Sequence, residues 1–234
     1  MLSESYIEFK NVWKKYSKRQ IFHRSVREDF KSIFATKAID KGLSDDEFWA
    51  LREISFKVRA GECIGLTGVN GSGKTTLLKL ISNVTYPNLG GVDVYGRVAP
   101  MLEVGPGFHP DLTGLENIYM NGTILGMSIT EIRSQEKNII EFSEIENFIR
   151  VPVKKYSSGM LLRLGFSIAA HSNADIFLFD EVFSVADQKF RDKCKCILLN
   201  LKKSGKIIFL VNHNPENYDL EPDRLLKLNC GCLI

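Results

Sequence analysis

The sequence has no long hydrophobic run, no disulfide framework and no strong charge of one sign. Its longest apolar stretches, such as IIFLV at 207–211, have the size of a strand and fall far short of the roughly 20 residues of a transmembrane helix. Five cysteines in 234 residues, with no leader peptide expected at the N-terminus, predict a reducing cytoplasm. A formal net charge of +3 is too small to argue for nucleic acid as a partner.

The cysteine spacing gives little indication of a metal site. Cys194/Cys196 and Cys230/Cys232 form two CxC pairs, whereas zinc sites usually show CxxC-type spacing and further ligands. We interpret these cysteines as packed or idle thiols. The sequence also lacks an internal repeat and a low-complexity tract, so its length allows one large α/β domain or two small ones.

The sequence does contain an alternation of strands and helices. Buried-strand patterns occur at CIGLTG, ADIFLFDE and KIIFLVNH, alternating patterns occur at YIEFKNV and ISFKV, and helical patterns follow GVNGSGKT and cover 130–149 and 157–172. YPNLGG at 86–91 predicts a turn, and GFHPDLTG at 107–114 predicts a loop ending in a helix N-cap at Thr113, with Glu116 completing a capping box. We expect a mainly parallel sheet with functional groups at the carboxyl ends of its strands.

GVNGSGKT, at 68–75, stands between a predicted buried strand and a helix start. Its glycines allow backbone N–H groups to converge on an anion, and the following helix adds its positive N-terminal end. Lys74 supplies a cation for the β- and γ-phosphates, and the Thr75 hydroxyl suits Mg²⁺. The alternative is an ordinary glycine turn. The predicted phosphate-binding residues are Gly68, Asn70, Gly71, Ser72, Gly73, Lys74, Thr75 and Thr76.

FLFDE, at 177–181, reads as a buried strand with two carboxylates at its tip. Asp180 is suited to bind Mg²⁺ through water, and Glu181 is suited to accept a proton from an attacking water molecule. The alternative is a polar strand end without chemistry. The position of FLFDE about 100 residues beyond Lys74 favours a role in the phosphate site.

YSSGM, at 156–160, places small residues at a predicted helix start, which leaves N–H groups free for an anion. The stretch resembles LSGGQ, the signature motif of ATP-binding cassette (ABC) ATPases, some twenty residues before FLFDE as in that family. Ser157 matches the motif's serine and Gly159 its second glycine, whereas Ser158 and Met160 replace a glycine and a glutamine. Arg163 matches the arginine that follows in many members.

This resemblance implies further site residues. Asp187 in SVAD matches the D-loop aspartate, which reaches across the dimer, and His213 matches the switch histidine that contacts the γ-phosphate. Tyr16 matches the aromatic residue that stacks on adenine, with Trp13 and Trp49 as rivals. The family's Mg²⁺-binding glutamine has no counterpart here: Val104 stands in its place, and the preceding Glu103 either takes over the metal contact or is an exposed acid. The implied catalytic residues are Glu181, His213 and Lys74.

The segment MLEVGPGFHPDLTGLENIYMNGTILG, at 101–126, resembles one branch of this family, the bacterial exporters of O-antigen, capsule or teichoic acid. The resemblance implies an ABC nucleotide-binding domain over 1–234, with a phosphate loop, an antiparallel β subdomain and a helical subdomain at about 113–170. Some O-antigen exporters continue into a carbohydrate-binding domain, and we expect none in this chain, whose sequence stops at NCGCLI. ATP and Mg²⁺ are the implied cofactors.

The same branch implies partners and a location. Two such subunits would pair head to tail as a homodimer under two membrane-embedded permease subunits, at the cytoplasmic face of the inner membrane. They would contact the polysaccharide only indirectly, and no nucleic acid. The alternatives are an ABC ATPase for another substrate and a nucleotide-sensing module without transport. His109, in the loop expected to dock the permease, is alternatively a residue that caps local backbone.

Residues 17–48 form a charged block that looks like an insertion. Within it, Phe22, Val26, Phe30 and Ile33 recur at helical spacing and predict an amphipathic helix. Such a helix either covers one edge of the sheet or touches anionic lipid headgroups or the permease.

Overall fold

The structure is a computed structural model that describes residues 4–17, 43–44, 46–101, 107–180, 187–212 and 220–234. The predicted amphipathic helix at 22–33 lies outside these ranges, and so do Glu103, Glu181 and His213. Their assignments therefore stay predictions.

The described ranges contain nine strands and five α-helices, besides two short 3-10 helices at Glu146–Phe148 and Val153–Lys155. The strands are β1 (Tyr6–Ser17), β2 (Glu47–Arg59), β3 (Cys63–Thr67), β4 (Leu89–Tyr95), β5 (Val98–Met101), β6 (Ile176–Asp180), β7 (Ile207–Val211), β8 (Arg224–Asn229) and β9 (Cys232–Leu233). The helices are α1 (Lys74–Ile81), α2 (Gly114–Ile124), α3 (Ile129–Ser143), α4 (Ser158–Ala170) and α5 (Gln188–Lys203).

A three-stranded antiparallel sheet has the order β2-β1-β4. The turn predicted at 86–91 is wrong over residues 89–91, which belong to β4. Gly90 has φ +79°, and a Cβ built there would lie 2.2 Å from the Asn11 carbonyl oxygen. Asn11 itself lies where the β1–β4 register shifts, between Lys10 and Trp13. The glycine pattern therefore marks a β-bulge, where the two backbones approach closely, and not a turn.

A six-stranded sheet has the order β5-β6-β7-β3-β8-β9. All its neighbouring strands are parallel except β8 and β9, which form a terminal hairpin. This confirms the predicted mainly parallel α/β sheet.

Each face of the six-stranded sheet carries its own core because side chains alternate along a strand. In β6, Ile176 and Leu178 pack with α1 and the three-stranded sheet, whereas Phe177 and Phe179 pack with α4 and α5. Helix α1 is thus enclosed between the two sheets, and this packing holds its N-terminus beside the end of β3.

Helices α2, α3 and α4 share a third cluster of buried side chains, which includes Ile118, Ile132 and Leu164. The predicted capping box of Thr113 and Glu116 is present at the start of α2, and Ser128 and Glu131 form a second one at α3. The helix predicted over 130–149 ends early, at Ser143, because Glu144 adopts a left-handed conformation with φ 56°. No helix in the described ranges is both long and apolar enough to cross a bilayer.

Candidate functional site

The loop between β3 and α1 has the backbone of an anion-binding nest. Gly68, Gly71 and Gly73 have φ of 152°, 77° and 109°, all on the positive side that glycine adopts most readily. Gly73 is the N-cap of α1 and supplies no side-chain hydrogen bond to its first turn. The N–H groups at this helix start are therefore available to an anion without competition from a capping side chain.

Two of these glycines are also required by close backbone contacts. A Cβ at Gly68 would lie 2.3 Å from the Leu228 carbonyl oxygen of β8. A Cβ at Gly73 would lie 2.6 Å from the Ala50 carbonyl oxygen of β2, whereas one at Gly71 would meet open space. The loop is therefore held between one strand of each sheet.

Lys74 lies over this loop. Its side chain is buried, and its Nζ donates to the carbonyl oxygens of Gly68, at 2.7 Å, and Val69, at 3.1 Å. The ammonium group is thus held at the concave side of the nest, where it can contact bound phosphate oxygens.

Ser72 provides a specific indication that the loop accepts a ligand. Its side chain is 1% exposed, and its Oγ has no hydrogen-bond partner. Buried hydroxyl groups rarely lack a partner, and a phosphate oxygen in the loop would supply one. The main chain of Ser72 is anchored, since its carbonyl oxygen accepts from the Gly231 N–H at 3.0 Å. Thr75 and Thr76, in the first turn of α1, are half-buried.

The register of the sheet brings Asp180 to the same edge as the loop. Asp180 pairs with Val211 of β7, which pairs with Leu66 of β3, so β6 and β3 end together two strand spacings apart, about 10 Å. The carboxylate of Asp180 and the hydroxyl of Thr75 are hard oxygen ligands, which suit Mg²⁺. The two residues therefore fit the predicted metal site. Glu181 and His213 follow β6 and β7 directly in the sequence.

The YSSGM stretch lies on the helical group. Ser157 is the N-cap of α4, and its Oγ accepts from the Met160 N–H at 3.2 Å. Ser157 and Ser158 are exposed, and a Cβ at Gly159 would approach only the Ser157 Oγ, at 3.8 Å. The predicted helix start is therefore present and open to solvent, and its binding of an anion stays a prediction.

Sequence reasoning missed a charged cluster behind this helix start. Arg163 of α4 donates to Glu144 at 2.6 Å and also to Asp187, and Lys193 of α5 donates to Glu144 at 2.6 Å. These donors lower the pKa of Glu144 to about 2, with the Lys193 hydrogen bond as the largest cause and Arg163 next. No sequence pattern marks Glu144, because its partners lie 19 and 49 residues away.

Asp187 has a structural role in its own chain. Its carboxylate caps α5 by accepting from the Phe190 N–H at 3.0 Å, and it also accepts from Arg163. Both interactions lower the pKa of Asp187. The residue predicted to reach across a dimer is thus oriented from within the chain.

The three candidate adenine-stacking rings differ in exposure. Trp13 is buried and packs edge-on against Trp49, with ring centroids 5.2 Å apart. Tyr16 is half-buried, and the Lys14 Nζ lies 5.1 Å from its ring centroid. Trp13 has core packing as its role, and this leaves Tyr16 and Trp49 as rings with accessible surface.

The loop at 107–113 is exposed but firmly anchored. Asn117, fully buried in α2, accepts from the His109 N–H at 2.8 Å and donates to the carbonyl oxygens of His109 and Leu112. The His109 Nδ1 accepts from the Asp111 N–H at 3.3 Å. This contact fits the alternative role of His109, in which it caps local backbone. The backbone that carries the side chains of His109 and Asp111 is therefore fixed by these hydrogen bonds.

Comparison with known proteins identifies the family. The family model described as "ABC transporter" matches residues 51–184. The O-antigen export system ATP-binding protein RfbB of Klebsiella pneumoniae is 42% identical over 95% of this chain and 89% of its own length. The teichoic acids export ATP-binding protein TagH of Lactiplantibacillus plantarum is 39% identical over 97% of this chain and 60% of its own.

Solved structures agree on the fold. The dimeric structure of MJ0796, described as a bacterial ABC transporter cassette, superposes with a TM-score of 0.74, covering 97% of this chain and 96% of that one at 22% identity. The predicted fold class is confirmed by this match. The nest at the end of β3, the carboxylate at the end of β6 and the relatives lead to one conclusion: the chain belongs to the ABC transporter family, as an ATPase cassette.

Proposed function

We propose that this chain is the ATP-hydrolysing subunit of an ABC transporter that exports a lipid-linked polysaccharide, of the O-antigen, capsule or teichoic acid type. The observation that carries the proposal is the breadth of the similarity. Relatives named for O-antigen export and for teichoic acids export match 95% and 97% of the chain. Such similarity along the whole chain favours a shared task over a shared ATPase core alone.

Each nucleotide contact has a proposed residue. The loop N–H groups of 68–73, Lys74 and the Ser72 hydroxyl bind the phosphates, and Tyr16 stacks on adenine. Thr75 and Asp180 hold Mg²⁺, with Glu103 as a further candidate. Bound Mg²⁺ neutralises charge on the β- and γ-phosphate oxygens.

Hydrolysis is assigned to residues that follow the strand ends. Glu181 takes the proton of the attacking water, and His213 contacts the γ-phosphate. Their positions in the sequence, next to Asp180 and just after β7, support both roles.

We infer that the complete ATP site is composite and forms between two chains paired head to tail. The phosphate loop of one chain faces Ser157, Ser158 and Gly159 of the other, and Asp187 reaches the shared interface. The exposure of Ser157 and Ser158 at the start of α4 supports this arrangement. ATP closes the dimer because its γ-phosphate contacts both chains, and hydrolysis removes those contacts.

The helical subdomain, about 113–170, and the loop before it are proposed to face two permease subunits at the cytoplasmic face of the inner membrane. The main chain of His109 is anchored by Asn117, and the Asp111 carboxylate accepts from Lys154, so both residues suit a docking surface. The polysaccharide is contacted only through the permease, and no nucleic acid is involved.

The ATPase proposal is tested with the purified chain. We expect ATP hydrolysis by the wild type, its loss in Glu181→Gln, and dimers that accumulate in Glu181→Gln when ATP is added, measured by gel filtration with light scattering. Lys74→Ala in the same background is the control, since it removes the phosphate contact and should stay monomeric. A wild type without hydrolysis, with Glu181→Gln monomeric in ATP, would favour a different role.

The export proposal is tested in cells of the source organism. Deletion of the gene should remove the polysaccharide from the surface while the polymer accumulates inside, and Lys74→Ala should fail to complement. Unchanged surface polysaccharide would favour another transported substrate. Unchanged export with His109→Ala and Asp111→Ala would remove the proposed docking role of the loop.

A further inference from the structure

Two segments that are 42 residues apart in the sequence, GFHPDLTG and YSSGM, meet at Gly114 and Tyr156. A Cβ built on Gly114 would lie 2.3 Å from the Tyr156 hydroxyl oxygen, and its next neighbour, the Ile149 Cδ1, would be 3.0 Å away. Gly114 is the first residue of α2 and is not among the positive-φ residues, so its backbone accepts any side chain. The hydroxyl of Tyr156 is therefore the main obstacle to a side chain at this position, and the Ile149 carbonyl oxygen follows at 3.2 Å.

The Tyr156 ring cannot easily move aside. Its hydroxyl donates to the Phe148 carbonyl oxygen at 2.7 Å, and its own N–H donates to the Val153 carbonyl oxygen at 2.9 Å. The side chain is 9% exposed and belongs to the core of the helical group. A methyl group at Gly114 would consequently displace the tyrosine together with its main chain.

The surrounding backbone joins the two segments into one unit. Gly114 and Leu115 donate to the carbonyl oxygens of Val151 and Ile149, at 3.3 and 2.9 Å. In the opposite direction, the N–H groups of Val153 and Lys154 donate to Leu112 and Pro110, at 2.9 and 3.0 Å. The loop at 107–113 and the segment at 149–154 must therefore move together.

Ser157 directly follows Tyr156 and begins α4. We infer that Gly114 and Tyr156 are positioning residues: their contact sets where Ser157 stands, and so links the loop at 107–113 to the ATP contact made by Ser157. The inference rests on the proposed function, in which Ser157 binds ATP held by a second chain. Tyr156 and Gly114 are both buried, so we do not expect them to touch the nucleotide themselves.

The test is a double-mutant cycle in the Glu181→Gln background, with Gly114→Ala, Tyr156→Phe and the two combined. The readout is the ATP concentration that gives half-maximal dimer formation. Gly114→Ala should raise it about tenfold, a coupling in the range seen for contacting residues. Tyr156→Phe removes the hydroxyl that the new methyl group would strike, so the double variant should return to within about threefold of Tyr156→Phe alone.

Two controls separate positioning from loss of structure. Nucleotide binding to the monomeric form, measured with a fluorescent ATP analogue, should be unchanged, because the phosphate loop lies on other elements. Gly91→Ala adds the same methyl group where no atom lies within 4 Å and should leave dimer formation unchanged.

The possible outcomes are distinguishable. If the Glu181→Gln reference fails to dimerise with ATP, the proposed function fails. If the reference dimerises and Gly114→Ala matches it, or the double variant stays as weak as Gly114→Ala, the positioning inference is overturned. If Gly114→Ala does not fold, the double variant is compared with Tyr156→Phe. Equal ATP concentrations for half-maximal dimer formation support the inference, and a tenfold higher concentration for the double variant refutes it.

Discussion

The guanidinium group of Arg163 donates to the carboxylate of Asp187 and thereby joins α4 to the first turn of α5. The same guanidinium donates to Glu144, which also accepts from Lys193. The Arg163 Cζ lies 4.7 Å from the centroid of the Phe190 ring, so the group is held from its face as well as its edge. The helix that begins at the YSSGM stretch is thus tied to the helix that Asp187 caps.

Glu144 holds this cluster together, and its removal should destabilise the protein. Glu144→Gln keeps the shape but loses the charge on which Arg163 and Lys193 depend, so we expect the free energy of unfolding to fall by about 1–3 kcal/mol. The free energy of unfolding is measured by urea denaturation, with circular dichroism as the signal. Glu141→Gln is the matched control, since the Glu141 side chain is 59% exposed and pairs only within α3 at 3.6 Å in the described structure. Equal losses in both variants would contradict the role of the cluster.

The same cluster predicts that the free energy of unfolding depends on pH in the acid range. The pKa of Glu144 falls from an ordinary 4.5 to about 2 in the folded protein. A depressed carboxyl pKa contributes stability that is fully present above the unfolded value and is lost as the pH falls through the folded value. The stability difference between wild type and Glu144→Gln should therefore be constant above about pH 5 and shrink between about pH 4.5 and 2. Urea titrations at pH 7, 4 and 3 check this, and a difference that did not shrink would refute it.

Asn117 should be essential for the loop at 107–113. Its side chain is fully buried, and its amide bonds both the N–H and the carbonyl oxygen of His109. Asn117→Ala leaves the part-buried His109 N–H without this acceptor, whereas the His109 carbonyl oxygen keeps the Leu112 N–H as a donor at 3.2 Å. We expect a loss of about 1–3 kcal/mol in the free energy of unfolding. Asn138→Ala, at an exposed position of α3 where the Asn138 amide donates to Gln135, should cost under about 0.5 kcal/mol. Urea denaturation of both variants measures the contrast, and a mild effect at Asn117 would contradict the anchor.

Gly231 should matter to nucleotide binding although it lies in the terminal hairpin. Its N–H donates to the Ser72 carbonyl oxygen at 3.0 Å, and a Cβ there would lie 2.8 Å from the Ala50 carbonyl oxygen. Gly231→Ala should therefore weaken ATP binding at least several-fold, by displacing the loop that Ser72 belongs to.

Gly205→Ala is the control for Gly231→Ala, because Gly205 has a similar φ, 77° against 81°, with no atom within 4 Å of its Cβ position. Backbone strain is common to both variants, so it should cost each of them about 1 kcal/mol of stability, and Gly231→Ala should lose more because of its contact with the Ala50 carbonyl oxygen. Calorimetric titration with ATP separates them, and equal affinities would refute the proposed support of the loop by the hairpin.

Much of the architecture was predictable because its signals are local. Continuous apolar runs predicted β3, β6 and β7, and the resulting sheet order follows the preference of such strands for a buried parallel sheet. Thr113 and Glu116 predicted the start of α2, since a capping box is formed within four residues. The phosphate loop was predictable for the same reason: its glycines, Lys74 and Thr75 are adjacent in the chain.

Features that depend on distant residues were not predictable. Glycine at 90 looked like a turn and proved to be a bulge, because only the pairing of β4 with β1 brings the Asn11 carbonyl against it. Glu144 carried no signal of its own, since Arg163 and Lys193 reach it from other helices.

The sequence by itself determined the family, the strand–loop–helix unit that we propose binds phosphate, and the carboxylate at the end of β6. Short-range patterns suffice for these, because each is built from neighbours in the chain. The tertiary structure alone decided why Gly68, Gly73 and Gly114 must be glycine and how the start of α4 is held. In each case the deciding atom belongs to another element, and only the packing of helices and sheets determines which atoms come within 3 Å of one another.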